Sequence, residues 1–336
     1  MRAGSKTVAA CSSCHGVHNI LPSTDPKSQI HAKNLPNTCG KCHPGAGERF
    51  ASLGPIHVVE GRTEAEPVRW IRQFYLILIP LVLGLMFMHN FGDFVRKLWT
   101  LRLRPNANPH PILGPLDSET RMHAAERFQH ALLATSFIAL TWTGFALIYP
   151  DQFWAKPLTW WEDRWPVRGV VHRISSVVFM AVAVLHVVLT LRSARLRHHW
   201  KELIPTRQDV PEAISNFAYN IGLKRDRPLL SSHSYIEKAE YWAVVWGAVI
   251  MALSGILLWA NNWSLRNLPK VMLDLATAVH FYEAVLAAAA IVIWHFYFVI
   301  ADPEVYPMDS AWLTGRSVRR RKRQEQDETE TVGAKR

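Results

Sequence analysis

Residues 168–192 read RGVVHRISSVVFMAVAVLHVVLTLR. An apolar run of this length crosses the roughly 30 Å hydrocarbon core of a bilayer as one helix. Two histidines interrupt it, His172 and His186, fourteen residues apart. A helix rises ~1.5 Å and turns ~100° per residue, which puts the two rings ~21 Å apart and within about 40° of one face. A second run, VHFYEAVLAAAAIVIWHFYFV, repeats the device with His280 and His295, fifteen residues apart. Ionisable side chains at membrane depth are rare and mark function. Imidazoles at two depths on neighbouring helices are what two stacked b haems require, because each iron takes two axial nitrogens and the porphyrin fills the space between helices.

The 336 residues are 49% hydrophobic and carry 14 Trp and 16 His. Several uninterrupted runs of about twenty apolar residues exclude an ordinary soluble domain. The formal net charge is +11, but the Lys and Arg collect between the apolar runs and in the tail. That distribution is a topology signal and excludes a nucleic-acid partner.

All four cysteines lie in two CxxCH motifs, Cys11-Ser12-Ser13-Cys14-His15 and Cys39-Gly40-Lys41-Cys42-His43, so no disulfide framework is implied. Each motif supplies two thioether thiols and a proximal imidazole for a covalent c haem. Zinc would use the same residue types, but a histidine directly after each Cys pair favours haem. His18, His31 and His57 are the available distal ligands. Residues 1–60 are too short and too polar to bury a core of their own, so the porphyrins would be that core. Residues 1–10 lack the apolar core of a signal peptide, and the abrupt start of the motif at Cys11 leads us to expect further sequence upstream.

Residues 61–70 read as a linker, followed by a first span over 71–93. His89, near its far end, reads as an interfacial histidine rather than a ligand. Further spans are expected over about 127–149, the 168–192 run, 240–260 and 278–300. The loops 94–125 and 192–239 are rich in Arg and Lys, whereas 150–167 and 261–277 carry two basic residues each. Positive-inside reasoning then puts the haem-c segment outside a bacterial inner membrane and the charged tail, 303–336, in the cytoplasm. Covalent haem attachment demands the same orientation. The fold class is thus an all-α membrane protein. It has five transmembrane helices, the last four forming a di-haem b bundle over 122–302, and a small loop-rich haem-c segment before them.

Residues 10–60 (CSSCHGVHNILPSTDPKSQIH, TCGKCHPGAGERF, GPIHV) resemble the multihaem c-type cytochromes with doubled CxxCH motifs. The resemblance implies bis-histidine haems, with His18, His31 and His57 in the positions of the extra ligands. Residues 122–302 resemble the cytochrome b gamma subunit of membrane formate dehydrogenases. The residues that carry this are ERFQH with a following TG, RGVVHR, EKAEYW with MALSGILLW, and VH with WHFY. That family is a four-helix, di-haem, quinone-reactive protein.

Helix geometry pairs His172 with His280 near the outer face. Near the inner face it leaves His130, His186 and His295 for two places. Repeat geometry pairs His186 with His295; the resemblance implies His130 with His295 and leaves His186 for a propionate or a quinone. Gly144 and Gly255 sit at outer-haem depth, where small residues allow close approach. Arg127, Arg168 and Arg173 stand beside the expected ligands and suit propionate pairing.

The expected activity is electron transfer between the quinone pool and periplasmic cytochromes or redox subunits, through two b haems and two covalent c haems. The alternative is a haem-b anchor subunit of a larger, formate dehydrogenase-like oxidoreductase. Quinone chemistry needs groups that move protons. The resemblance places quinone beside the inner haem, where SHSYIEKAEYW offers His233, Tyr235, Glu237 and Glu240. Ser234 stands where that family has an asparagine. Glu283, one turn from His280, is a rival site at the outer face.

Overall fold

The computed structural model describes residues 11–18, 20–43, 65–103, 121–162, 166–226, 228, 230 and 233–317. The protein is an all-α membrane protein, and among the described residues every regular element is helical. Five helices are long and apolar enough to cross a membrane: Glu66–Thr100, Ala124–Ile148, Val167–Arg192, Tyr235–Trp259 and Lys270–Ala301. We number these spans one to five. The residues form two compact units, the first comprising Met1–Ile77, Trp142–Arg173 and Val249–Ala284, the second Leu78–Thr141, Ile174–Ala248 and Val285–Arg336.

The first span is longer than its apolar stretch, since its helix runs Glu66–Leu103. The surface of the helix is sorted opposite to a soluble one. Phe74, Ile77, Leu81, Phe87 and Phe91 are exposed, as lipid contact requires, while Tyr75, His89, Asn90, Asp93 and Lys97 are buried. The last four recur at helical spacing and form one polar stripe. In the second unit Lys97 Nζ lies 2.5 Å from Asp93, 2.8 Å from Asp302 and 3.7 Å from Glu304. The Tyr297 hydroxyl donates to Asp93 at 2.6 Å. A charge so enclosed is tolerable only because it is paired, and that pairing lets the helix continue past residue 93.

The stretch read as a basic loop between the third and fourth spans contains two helices, Ala194–Glu202 and Asp209–Asn220. The first is capped by Ser193, whose side chain accepts from the Leu196 amide. The second starts at Asp209, which takes the Lys238 ammonium at 2.7 Å and bonds Thr206. Burial pushes the Asp209 carboxyl up, but Lys238 and the Thr206 amide and hydroxyl outweigh it and hold the group below its ordinary range. These helices pack on the start of the fourth span, where the Trp242 indole donates to the Leu203 carbonyl at 2.9 Å.

The fifth span departs from α geometry near its end. Ile291–His295 and Tyr297–Ala301 are π-helical turns. A π turn absorbs an extra residue.

Candidate functional site

In the first unit His172, from the third span, faces His280, from the fifth. Their ring centres are 6.3 Å apart. An iron held by two imidazole nitrogens at about 2 Å each, with each ring centre ~1.1 Å behind its nitrogen, sets ring centres about 6 Å apart. The outward nitrogens are held. Thr143 Oγ1 bonds His172 Nδ1 at 3.0 Å, and Ser254 Oγ bonds His280 Nδ1 at 2.9 Å. Fixing Nδ1 orients the ring and leaves Nε2 for the metal. Glycines flank both rings: a Cβ on Gly144 would lie 3.2 Å from His172 Cε1, and one on Gly255 3.3 Å from His280 Cε1. Both distances are tighter than ordinary contact, so glycine is needed where the backbone approaches each ring.

In the second unit His130, from the second span, faces His295 at 6.4 Å between ring centres. Glu240 Oε2 lies 3.5 Å from His295 Nδ1, a carboxylate where the first unit has hydroxyls. His130 Nδ1 is buried without a hydrogen-bond partner. His186 does not face His295. Its Nε2 meets the Tyr241 hydroxyl at 3.1 Å, and both line a small cavity with Glu126, Gln129 and His199. Both pairs therefore have the spacing and the donor chemistry that a b haem requires.

The arginines divide. Arg168 is engaged already, donating from Nε to Glu162 at 2.6 Å and from Nη1 to the Ala146 carbonyl at 2.7 Å. Arg173 lies over the Trp259 ring at 5.9 Å, and Arg127 is half-buried.

The residues of SHSYIEKAEYW point apart. Tyr235 takes His89 Nε2 at 2.6 Å and the Asn216 amide at 2.8 Å. Glu237 pairs with Arg121, Glu240 bonds His295, and His233 Nδ1 lies 3.3 Å from Glu202. His89, read as interfacial, is buried within the protein: it is 4% exposed and packs against Trp294 at 5.0 Å. Trp294, Phe217 and Asn216 enclose its ring. Glu283, in the first unit, accepts the Tyr75 hydroxyl at 2.9 Å.

The first CxxCH motif forms a short helix, Cys11–His15, and the second begins at the end of another, Leu35–Gly40, and runs past it; the two helices touch. None of the four cysteines is in a disulfide. Burial, then the neighbouring Cys14 and Cys42, push the Cys39 thiol above its ordinary range. His43 Nδ1 meets Asn262 Oδ1 at 3.1 Å, and His31 Nδ1 accepts the Lys33 amide at 3.3 Å. His15 is half-buried and His18 exposed, whereas His57 lies outside the described residues. This donor set fits covalent haem.

Sequence reasoning missed Thr143, Ser254, Tyr241, Asn216 and Trp294. Small hydroxyls inside apolar spans carry little signal, and only their contact with a histidine gives them meaning.

No curated protein matches the chain. A family model described as "Prokaryotic cytochrome b561" matches residues 121–306, more than half of the chain and the stretch that holds all four facing histidines. The chain belongs to the prokaryotic cytochrome b561 family and is a membrane protein that transfers electrons on b haem.

Proposed function

We propose that the chain moves electrons between the quinone pool and periplasmic carriers, with two b haems in its spans and two c haems in its N-terminal segment. The observation that carries this is the pair of facing imidazole couples, 6.3 and 6.4 Å between ring centres, with a polar partner on three of the four outward nitrogens. His172 and His280 hold one b haem and His130 and His295 the other. Cys11, Cys14 and His15 hold one c haem and Cys39, Cys42 and His43 the second, with His18, His31 and His57 as the distal ligands on offer. Bound haem supplies the one-electron ferric–ferrous couple; the chain orients its ligands, tunes their basicity and excludes water.

Arg-rich loops on one side support an orientation with the haem-c segment in the periplasm and the tail in the cytoplasm. For quinone we assign the second unit. The Tyr235 hydroxyl, shared with His89 and Asn216, is a half-buried proton-carrying group, and the buried indole N–H of Trp294, which has no partner, is a donor for a quinone oxygen. Glu240 acts there on His295. Glu283 with Tyr75 is the competing site in the first unit.

Mixing oxidised, purified protein with a reduced quinol tests this reading. The expected result is reduction of b haem followed by c haem, with pyridine haemochromes giving one b per c. Absence of c haem, or c haem that stays oxidised while b haem is reduced, overturns it. A second reading is an anchor subunit of the formate dehydrogenase gamma type, which the sequence resemblance over residues 122–302 suggests. Copurification of a molybdenum or iron–sulfur subunit would select it.

A further inference from the structure

The second unit contains another group of ligand-type side chains, apart from the facing imidazoles. His199 and Glu202 are three residues apart on helix Ala194–Glu202 and so share a face. His233 comes from the segment just before the fourth span. The Trp242–Leu203 bond and the Asp209–Lys238 pair fasten this loop region to the fourth span, so the juxtaposition is held by its surroundings. Glu202 Oε2 lies 3.3 Å from His233 Nδ1 and 3.9 Å from His199 Nδ1. The two rings meet edge to face, with centres 5.0 Å apart. One donor atom from each residue lies within 4.8 Å of the other two.

We propose that His199, Glu202 and His233 form a binding site for a divalent transition-metal ion of the Zn²⁺ class. Tetrahedral zinc binds imidazole nitrogen and carboxylate oxygen at about 2.0–2.2 Å, which puts neighbouring donors roughly 3.3–3.5 Å apart. Of the two distances, 3.3 Å lies at the lower edge of that range and 3.9 Å above it. The adjustment falls on Glu202, whose side chain is 40% exposed. Two imidazoles and one carboxylate select Zn²⁺, Ni²⁺ or Cu²⁺ over Mg²⁺ or Ca²⁺, which prefer all-oxygen shells. Three protein ligands leave a fourth position for water. The other carboxylate oxygen, Glu202 Oε1, is 3.5 Å from His198 Nδ1, a neighbour that would orient the ligand from behind.

The ion would tie the loop helix to the start of the fourth span. The next turns of that span carry Glu240, on His295, and Tyr241, on His186. The site is a clip beside the haem ligands of the second unit and takes no part in holding haem.

Equilibrium dialysis of the haem-loaded full chain against Zn²⁺ tests the proposal. The His199→Gln, His233→Gln double variant should bind one Zn²⁺ fewer per chain than the wild type, with b and c haem spectra unchanged. Glu202→Gln, on a partly exposed side chain, provides the same comparison if the double variant loses haem. Chelation should lower the thermal midpoint of the wild type and leave that of the variants unmoved. Equal Zn²⁺ stoichiometry in wild type and variants, or no Zn²⁺ retained by the wild type, overturns the proposal.

Discussion

Replacing Glu240 by glutamine should raise the midpoint potential of one b haem and leave the other where it is. Glu240 Oε2 sits 3.5 Å from His295 Nδ1. In an imidazole bound to iron through Nε2, Nδ1 keeps its proton. A carboxylate accepting that proton makes the ring a stronger donor and favours the ferric state. Glutamine keeps the length and removes the charge. A carboxylate about 7 Å from an iron on Nε2, at an effective dielectric near 20, interacts with one unit of charge by roughly 2.4 kcal/mol. At about 59 mV per tenfold for one electron, that is ~100 mV. The side chains of Glu240 and His295 are 27% and 29% exposed, and solvent screening reduces the effect to about half. The expected rise is therefore about 50–100 mV. A redox titration of the purified protein, followed on the b-haem absorption, resolves two components and reads the shift directly. The partners in the first unit are neutral hydroxyls, so Thr143→Val and Ser254→Ala should move the other component by less. If Glu240→Gln moves neither component, lowers one, or moves both equally, the assignment of Glu240 to His295 is wrong.

Three further outcomes are expected. His130→Ala should lose one b haem with the c haems still attached, while His186→Ala keeps both b haems, as counted by haemochrome spectra. Lys97→Met leaves Asp93, Asp302 and Glu304 without their shared cation and should destabilise the protein by about 3–5 kcal/mol, read as a fall in the thermal unfolding midpoint in detergent. The depressed Asp209 carboxyl contributes stability that is fully present above its unfolded value near 3.9 and is lost as pH falls through its lower folded value; Asp209→Asn should remove that acid-side dependence from unfolding curves.

The facing of His172 and His280 is legible in sequence because both sit on long apolar helices at one depth, with no rival there. The other couple is not, since three histidines share a depth and helical period says nothing about which helices are neighbours. His186 shares a face with His172, yet its ring meets Tyr241, while His295 meets a ring from the second span. The π turn at Ile291–His295, invisible to composition, helps set where that ring lies. The scatter of the SHSYIEKAEYW residues could have been foreseen. Tyr235 and Glu240 are five apart, about 140° off a common face, so one helix cannot aim both at one ligand. The cage around His89 could not, because Asn216 and Asn220 lie in a stretch that reads only as a basic loop.

The first span lies outside the family match, yet its polar stripe is fastened to residues inside it. Tyr235 meets His89, the Ile293 carbonyl accepts from Asn90, Tyr297 donates to Asp93, and Asp302 with Glu304 holds Lys97. This is the physics expected in lipid, where apolar faces gain little by meeting each other and polar contacts decide which helices associate. Each contact is also restrictive, because shifting the span by one residue would turn a buried charge toward hydrocarbon. Trp294 follows from the same logic. It precedes the facing histidine His295 and packs on His89, so the position of the first span is read directly at the turn that aims His295. With His295 as the proposed haem ligand, the first span therefore bears on the turn that carries it, through the contact of His89 with Trp294.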